Sequence, residues 1–378
     1  MVGGKLAAVG ELVAIDLPAG PAWVDVLRRC WDAGDAVLPV DGRLAPPARA
    51  ALLEAMRPAV LIDASGSRRL PGAAATGPGD ALVMATSGTT GAPKGVVLAY
   101  DTVEASARAT SARLGVEPGT HRWLACLPLA HVGGLSVITR ALITGTALTV
   151  LPGFSAAEVA AQGGPEVLVS LVATTLGRVG ADRFHTVVLG GSAPPSDLAA
   201  NVVTTYGMTE TGSGVVYDGV PLDGVEVAIE GAQQQIRVRG PMLARCYRDG
   251  TDTLDGDGWL STGDAGWFDP DGRLHVRGRL SDLIISGGEN VWPAAVEAIV
   301  RLHPGVAQVA VAGRRDPEWG QRVVAWVVPR PEAAAPTLDE LRGLVRDQLA
   351  AFAAPRELEL VERLPTTTIG KVVRSQLR

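Results

Sequence analysis

Short apolar runs of strand length, separated by helical or Gly-rich stretches, recur through the first part of the chain and restrict its fold more than any other feature. Runs at 36–40, 59–63, 81–85, 123–127, 147–151, 186–189 and 201–205 read as strands, and 24–33 and 46–55 read as helices. Alternation of this kind builds α/β layers around parallel strands. Asp101 followed by Glu104 has the form of a capping box and predicts a helix from there to about residue 114. From residue 225 the texture changes to short β segments at 225–229, 235–239 and 273–277, with a turn signal at 269–272.

A second change follows residue 279. A strand at 283–285 leads to a Gly-Gly turn and a helix opened by Pro293, a favoured first helical residue. Strands at 306–312 and 323–328, a Pro/Ala-rich linker at 329–336 and a second capping box, Thr337 with Glu340, come next. That box predicts a helix to about residue 350. A chain of 378 residues exceeds one ordinary core, so two domains are expected. The expected architecture is a large N-terminal α/β domain (1–278) with mixed and parallel sheets, helices and a small β subdomain. Residues 279–282 lie between it and a small α+β C-terminal domain (283–378).

Composition narrows the function. With 47% hydrophobic and 20% charged residues the chain can bury a large core, which excludes disordered and disulfide-stapled classes. A net charge of −6 argues against a nucleic-acid partner held by bulk positive charge. Cys30, Cys126 and Cys246 are far apart, and no histidine pair has metal-ligand spacing, so disulfides and zinc are poor fits. A reducing cytoplasm is the expected compartment. No signal peptide is visible, and the most apolar stretch is broken by His131, Gly133, Gly134 and Arg140, so no membrane span is expected.

Of 34 basic residues only Lys5, Lys94 and Lys371 are lysine. A compact ammonium can follow a moving charge where a planar guanidinium cannot, which marks the two interior lysines as candidates for chemistry. Lys94 closes the segment Thr86-Ser87-Gly88-Thr89-Thr90-Gly91-Ala92-Pro93-Lys94-Gly95. Glycines let backbone amides approach an anion, and the hydroxyls and lysine add donors, so the segment is built to hold phosphate. It is not a Walker A loop, because its lysine lies three residues past Gly91 and a strand-like run, 96–99, follows.

These residues resemble the phosphate loop of the adenylate-forming superfamily of acyl-CoA synthetases, adenylation domains and luciferases. Companion segments follow in that superfamily's order. Residues 127–134, with His131, resemble the gate beside the acyl pocket, and 190–194, with Gly191 and Ser192, resemble the segment bordering the adenine. Tyr206-Gly207-Met208-Thr209-Glu210-Thr211 resembles the acidic motif. Residues 261–264 and 278–288 resemble the ribose and hinge segments, and 365–371 the C-terminal lysine loop. The resemblance therefore spans residues 86 to 371.

The resemblance implies ATP, Mg2+ and CoA as co-substrates and cofactor, with a small carboxylic acid as substrate and a homodimer as a candidate assembly. It implies nucleotide contacts from the phosphate loop, Gly191, Ser192, Tyr206, Gly207 and Met208, and ribose contacts from Asp264 and Arg279. Thr209 is expected at the α-phosphate and Glu210 at the metal; a single carboxylate suits magnesium, which keeps several waters. Lys371 would stabilise charge that grows at phosphorus, His131 would gate the two pockets, and Ser281 would be the hinge residue, where many relatives carry Asp or Lys. Gly287 and Gly288 would leave room for the pantetheine arm of CoA.

Residues 217–225, 170–178 and Arg140 also resemble the o-succinylbenzoate–CoA ligase branch, which serves menaquinone biosynthesis. A substrate with a second carboxylate needs a cation or donor cluster, for which Arg140, Ser170, Thr174 and Thr175 are the candidates. Ala173 and Thr175 depart from that branch's usual Ser-Leu-Val-Pro-Thr-Gln-Leu. Three alternatives stand beside this reading: a ligase for another acyl or aryl acid, an adenylating enzyme that loads a carrier protein, and a nucleotide-binding module without catalysis.

Overall fold

The computed structural model describes residues 9–87, 93–195, 197–366 and 372–377. The chain divides into two units, 1–227 with 238–260 and 228–237 with 261–378.

Two seven-stranded sheets organise the first unit. The first uses β1 (Leu12–Asp16), β2 (Ala36–Pro39), β3 (Val60–Asp63), β4 (Gly66–Arg69), β5 (Asp80–Ser87) and β6 (Pro93–Ala99). Strands β5, β2, β1 and β3 run parallel in that order, and β4 and β6 close the flanks antiparallel. The helices α1 (Pro21–Ala33) and α2 (Pro46–Met56) supply crossovers. Helix α1 begins at a proline, ends at Gly34 with φ +85°, and buries Trp23, Leu27 and Cys30, spaced as one face of a helix.

After α3 (Tyr100–Arg113), the second sheet takes β7 (Arg122–Ala125), β8 (Ala147–Val150), β9 (Gly164–Leu171), β10 (Phe184–Leu189), β11 (Val202–Met208), β12 (Ser213–Tyr217) and β13 (Val220–Pro221). Strands β8, β7, β9, β10 and β11 are parallel in that order, joined through α4 (Val132–Thr144), α5 (Ala156–Ala161) and α6 (Ala173–Val179). Val167, Leu168, Val169 and Val187 are fully buried, as strands covered on both faces require.

The strands β14 (Glu226–Glu230) and β15 (Gln235–Arg239) precede β16 (Cys246–Tyr247), which pairs antiparallel with β6. Together with β17 (Leu260–Phe268) and β18 (Leu274–Arg279) the first two form a four-stranded sheet ordered β14-β15-β17-β18.

The rest of the second unit pairs β19 (Ile284–Ser286), β20 (Glu289–Val291), β21 (Val306–Asp316), β22 (Gly320–Pro329) and β23 (Glu357–Leu360). Against that sheet α7 (Pro293–Val300) and α8 (Leu338–Arg346) bury Val296, Val300, Leu341 and Val345.

The α/β class and the small α+β unit are as expected. The cap on α8 forms as predicted: the Thr337 hydroxyl accepts from the Glu340 N–H, and Glu340 reaches back to the Thr337 N–H at 2.7 Å. That helix stops at Arg346 rather than near 350. The cap expected from Asp101 and Glu104 does not form. Helix α3 starts at Tyr100 with Ala99 as its cap residue and no side-chain bond. Its first residue is fixed by packing, since the Tyr100 ring meets Trp31 edge-on at 5.4 Å, while Glu104 binds Arg108 at 2.7 Å. The strands β1, β4, β9, β12, β13, β16, β17 and β20 have no counterpart among the expected ones. Among the described residues no helix is long and apolar enough to cross a membrane.

Candidate active site

In the first unit the phosphate-loop segment is bounded by a hairpin. Strands β5 and β6 pair antiparallel with Thr86 opposite Lys94 and Ser87 opposite Pro93, and the Thr86 hydroxyl donates to the Lys94 carbonyl at 3.3 Å. Gly88, Thr89, Thr90 and Gly91 lie outside the described residues. Lys94 is exposed, and its ammonium stands 4.7 Å from the centroid of the Tyr247 ring.

The acidic motif ends β11. Gly207 has no alternative there, because a Cβ would run into the Ser213 carbonyl. The turn Thr209–Thr211 is held by the Thr211 hydroxyl, which donates to the Ser213 carbonyl at 2.6 Å and accepts the Met208 N–H at 2.8 Å. This leaves Tyr206, Met208, Thr209 and Glu210 half-buried. The Glu210 carbonyl accepts the Ala244 N–H at 2.7 Å, and its carboxylate accepts the Tyr247 hydroxyl at 3.0 Å. Glu210 makes no ion pair among the described residues, so its charge is available, and one such carboxylate fits magnesium, which prefers few protein ligands. Gly191, at φ +84°, and exposed Ser192 follow β10.

His131 is the cap residue of α4. Burial pushes its imidazole below the ordinary value; nearby Asp41 pulls it back in part, and Arg43 opposes that. Its Nε2 is buried without a hydrogen-bond partner among the described residues. Arg43 and Asp41 form a fork at 2.8 and 2.7 Å beside it. Further along α4, Arg140 is only 2% exposed. Its Nη2 donates to the Ser213 hydroxyl and, at 3.5 Å, to the Tyr217 hydroxyl, and the guanidinium lies 5.4 Å from the Trp123 ring centroid. Nε and Nη1 have no partner, and Arg140 has no carboxylate partner among the described residues.

The other acyl-pocket candidates divide. Ser170 is buried, and its hydroxyl has no partner among the described residues. The Thr175 hydroxyl is engaged in capping α6, accepting the Val172 N–H at 3.0 Å and donating to the Val172 carbonyl at 2.9 Å. Thr174 is exposed. Burial pushes the Cys126 thiol up to about 12 and the Cys30 thiol to about 11, which leaves both protonated and unreactive.

In the second unit Asp264 and Arg279, 15 residues apart, are cross-strand partners of β17 and β18, with Arg279 Nε 2.9 Å from Asp264 Oδ1. Buried Thr262 supports them: its hydroxyl accepts the Asp264 N–H at 3.1 Å, and its carbonyl accepts from Arg279 at 3.2 Å. Ser281 is exposed in the turn Leu280–Asp282. Gly287 and Gly288, at φ +62° and +84°, make the two-residue turn between β19 and β20. The space beside Gly287 belongs to Trp319, whose ring would lie 2.7 Å from an added Cβ, whereas Gly288 has nothing within 4 Å. The turn and the tryptophan thus give Gly287 a local reason to be glycine. Lys371 lies outside the described residues; on either side of it Thr366 bridges Val372, and the Val373 N–H donates to the Pro365 carbonyl at 2.9 Å.

Two residues escaped the sequence reading. Tyr247 carries no motif signal, and only the register of β16 on β6 places it between Lys94 and Glu210. Arg374 follows Lys371 by three positions but reads as one more arginine in an arginine-rich chain.

Residues 69–248 match the family model described as AMP-binding enzyme, and 295–371 match the AMP-binding enzyme C-terminal domain. The chain is 41% identical over 323 residues to a Mycobacterium tuberculosis protein named "Probable 2-succinylbenzoate--CoA ligase", covering 79% of this chain and 83% of that protein. It is 36% identical over 339 residues to the 2-succinylbenzoate–CoA ligase of Bacillus cereus, covering 78% and 69%. Among solved structures, the o-succinylbenzoate CoA synthetase (MenE) of Bacillus subtilis in complex with the acyl-adenylate intermediate OSB-AMP matches with a TM-score of 0.87 at 28% identity, over 98% of this chain and 89% of that one. The same enzyme in complex with ATP and magnesium matches with a TM-score of 0.85 at 29% identity, over 98% and 90%. The chain belongs to the AMP-binding enzyme family.

Proposed function

We propose that this protein is an ATP-dependent acid–CoA ligase that converts 2-succinylbenzoate to its CoA thioester, a step of menaquinone biosynthesis in the cytoplasm. Arg140 carries the substrate assignment. A buried guanidinium with two nitrogens unpartnered among the described residues costs free energy unless an anion comes to it. The named acid brings two carboxylates, one to be activated and one to be bound, and the relatives carry the same name.

In the first half-reaction a carboxylate oxygen attacks the α-phosphorus of ATP, the bond to the bridging oxygen breaks, and pyrophosphate leaves. Lys94 and the 86–91 segment hold the departing phosphates, Thr209 donates to the α-phosphate, and Tyr206, Gly191 and Ser192 border the adenine. Asp264 accepts from the ribose hydroxyls with Arg279 beside it. Glu210 would hold Mg2+, which neutralises phosphate charge when bound. The Lys371 ammonium meets charge that grows only in the transition state, so it accelerates the step rather than merely tightening binding.

In the second half-reaction the CoA thiolate attacks the mixed-anhydride carbonyl and AMP leaves. Resemblance to the family supports Ser281, within 279–282, as the hinge between the domains 1–278 and 283–378 for this step, with Gly288 and Gly287 on the path of the pantetheine arm.

A panel of acids assayed for pyrophosphate release, followed by CoA consumption, tests the assignment. Release dependent on 2-succinylbenzoate with loss of free CoA is expected. Release with another acid alone would overturn the substrate, and release without CoA consumption would point to a carrier-protein acceptor.

A further inference from the structure

Tyr247 touches both charged side chains that the proposed ATP site draws from the first unit. Its ring lies 4.7 Å from the Lys94 ammonium, and its hydroxyl donates to Glu210 at 3.0 Å. The segment that carries it is fastened on both sides. The Ala244 N–H donates to the Glu210 carbonyl and the Arg248 N–H to the Gly95 carbonyl, each at 2.7 Å. Within β16 Tyr247 pairs with Val96, two residues past Lys94. The aromatic is therefore registered against the lysine strand and the acidic turn alike.

An ammonium and a carboxylate this close to a common neighbour would attract each other. A direct pair would neutralise both, and it would have to break before a triphosphate and its cation could enter. Lys94 and Glu210 form no such pair among the described residues; each is instead satisfied by a different part of one neutral side chain, the lysine by the π face and the glutamate by the hydroxyl.

We propose that Tyr247 is a positioning residue for adenylation: it keeps Lys94 and Glu210 apart as two separate sites, one for phosphate oxygens and one for the divalent cation that accompanies them. The proposal rests on the reading of Lys94 and Glu210 as ATP residues. It adds that their separation is maintained by a third side chain.

Calorimetric ATP binding to the full chain, with and without Mg2+, tests it. Tyr247→Leu removes both contacts and lets the charges pair, so Mg2+-free ATP affinity falls about tenfold. The double variant Tyr247→Leu with Glu210→Gln frees the lysine again and restores that affinity, which removal of a purely structural tyrosine would not do. Tyr247→Phe keeps the ring, so it leaves Mg2+-free binding unchanged but raises the Mg2+ concentration for half-maximal ATP binding about threefold.

Wild-type affinity in a folded Tyr247→Leu protein, or no recovery in the double variant, overturns the proposal. If the leucine variants do not fold, an unchanged Mg2+ midpoint in Tyr247→Phe overturns it alone. Lys94→Ala is the control for the underlying reading: ATP binding that it leaves intact would refute the site itself, whereas loss there with inert Tyr247 variants refutes only the spacer.

Discussion

Arg374 donates to the Glu297 carboxylate at 2.6 Å, and this contact closes a buried charge cluster in the second unit. Glu297, 5% exposed, also accepts the Val311 N–H at 2.8 Å, while Arg374 reaches the Val311 carbonyl at 3.1 Å and Asp282 at 3.3 Å. One arginine thus ties the segment after residue 371 to α7, to β21 and to the residue following Ser281.

Removing one partner of such a pair strands the other. Arg374→Ala is expected to destabilise the fold by about 1–2 kcal/mol, because among the described residues buried Glu297 then keeps only the Val311 N–H and an Arg301 contact at 3.3 Å. Denaturant unfolding checks this. Adding Glu297→Gln to the variant should recover part of the loss, and strictly additive losses would show that the two side chains do not act as a pair.

His131 sets an acid limit. Burial holds its folded-state pKa below the ordinary 6.5, so the unfolded chain takes up a proton more readily than the folded one. The stability contributed by the neutral ring is complete above that value and declines as pH falls below it. Thermal midpoints measured from neutral to acidic pH should drop on the acid side, and His131→Gln should flatten that drop. An identical pH profile in the variant would contradict the assignment.

Arg140 sets stability against specificity. Arg140→Met removes a buried charge that has no carboxylate partner among the described residues and should stabilise the fold by about 1–2 kcal/mol. The same change should narrow, by roughly a hundredfold, the preference in kcat/KM for 2-succinylbenzoate over the same molecule without its ring carboxylate. Kinetics with the two acids give the answer, and a preserved preference would move the second carboxylate elsewhere.

On the proposed mechanism Lys371 serves the first half-reaction alone. Lys371→Ala should cut acid-dependent pyrophosphate release by at least roughly a hundredfold. Thioester formation from supplied acyl-adenylate should continue, because the thiol step does not use that ammonium. Equal losses in both assays would remove the lysine from its assigned role.

Much of this molecule can be read from local sequence, and the parts that cannot share a cause. The strands on either side of the phosphate segment, the Thr337 cap and the Pro293 helix start are decided within a few residues of chain, and they form as expected. Asp101 has the same local signature as Thr337, yet α3 begins one residue earlier, where Tyr100 meets Trp31 from a distant helix. Tyr247 and Arg374 gain their partners across 37 and 77 residues, through strand register and core packing that no motif spells out. Thr175 was read as a pocket donor, but its hydroxyl is engaged by its own helix. Short polar side chains near a helix start compete for the backbone first.

The phosphate segment runs from one strand into another, β5 into β6, rather than into the start of a helix. A segment followed directly by a strand lacks the macrodipole that an immediately following helix lends to anion loops of the strand-to-helix type. On the proposed reading its hold on pyrophosphate is therefore assembled from individual donors. Affinity for the leaving group can then be adjusted in small steps, one hydroxyl at a time, so an enzyme that must also release pyrophosphate can be tuned without rebuilding its fold.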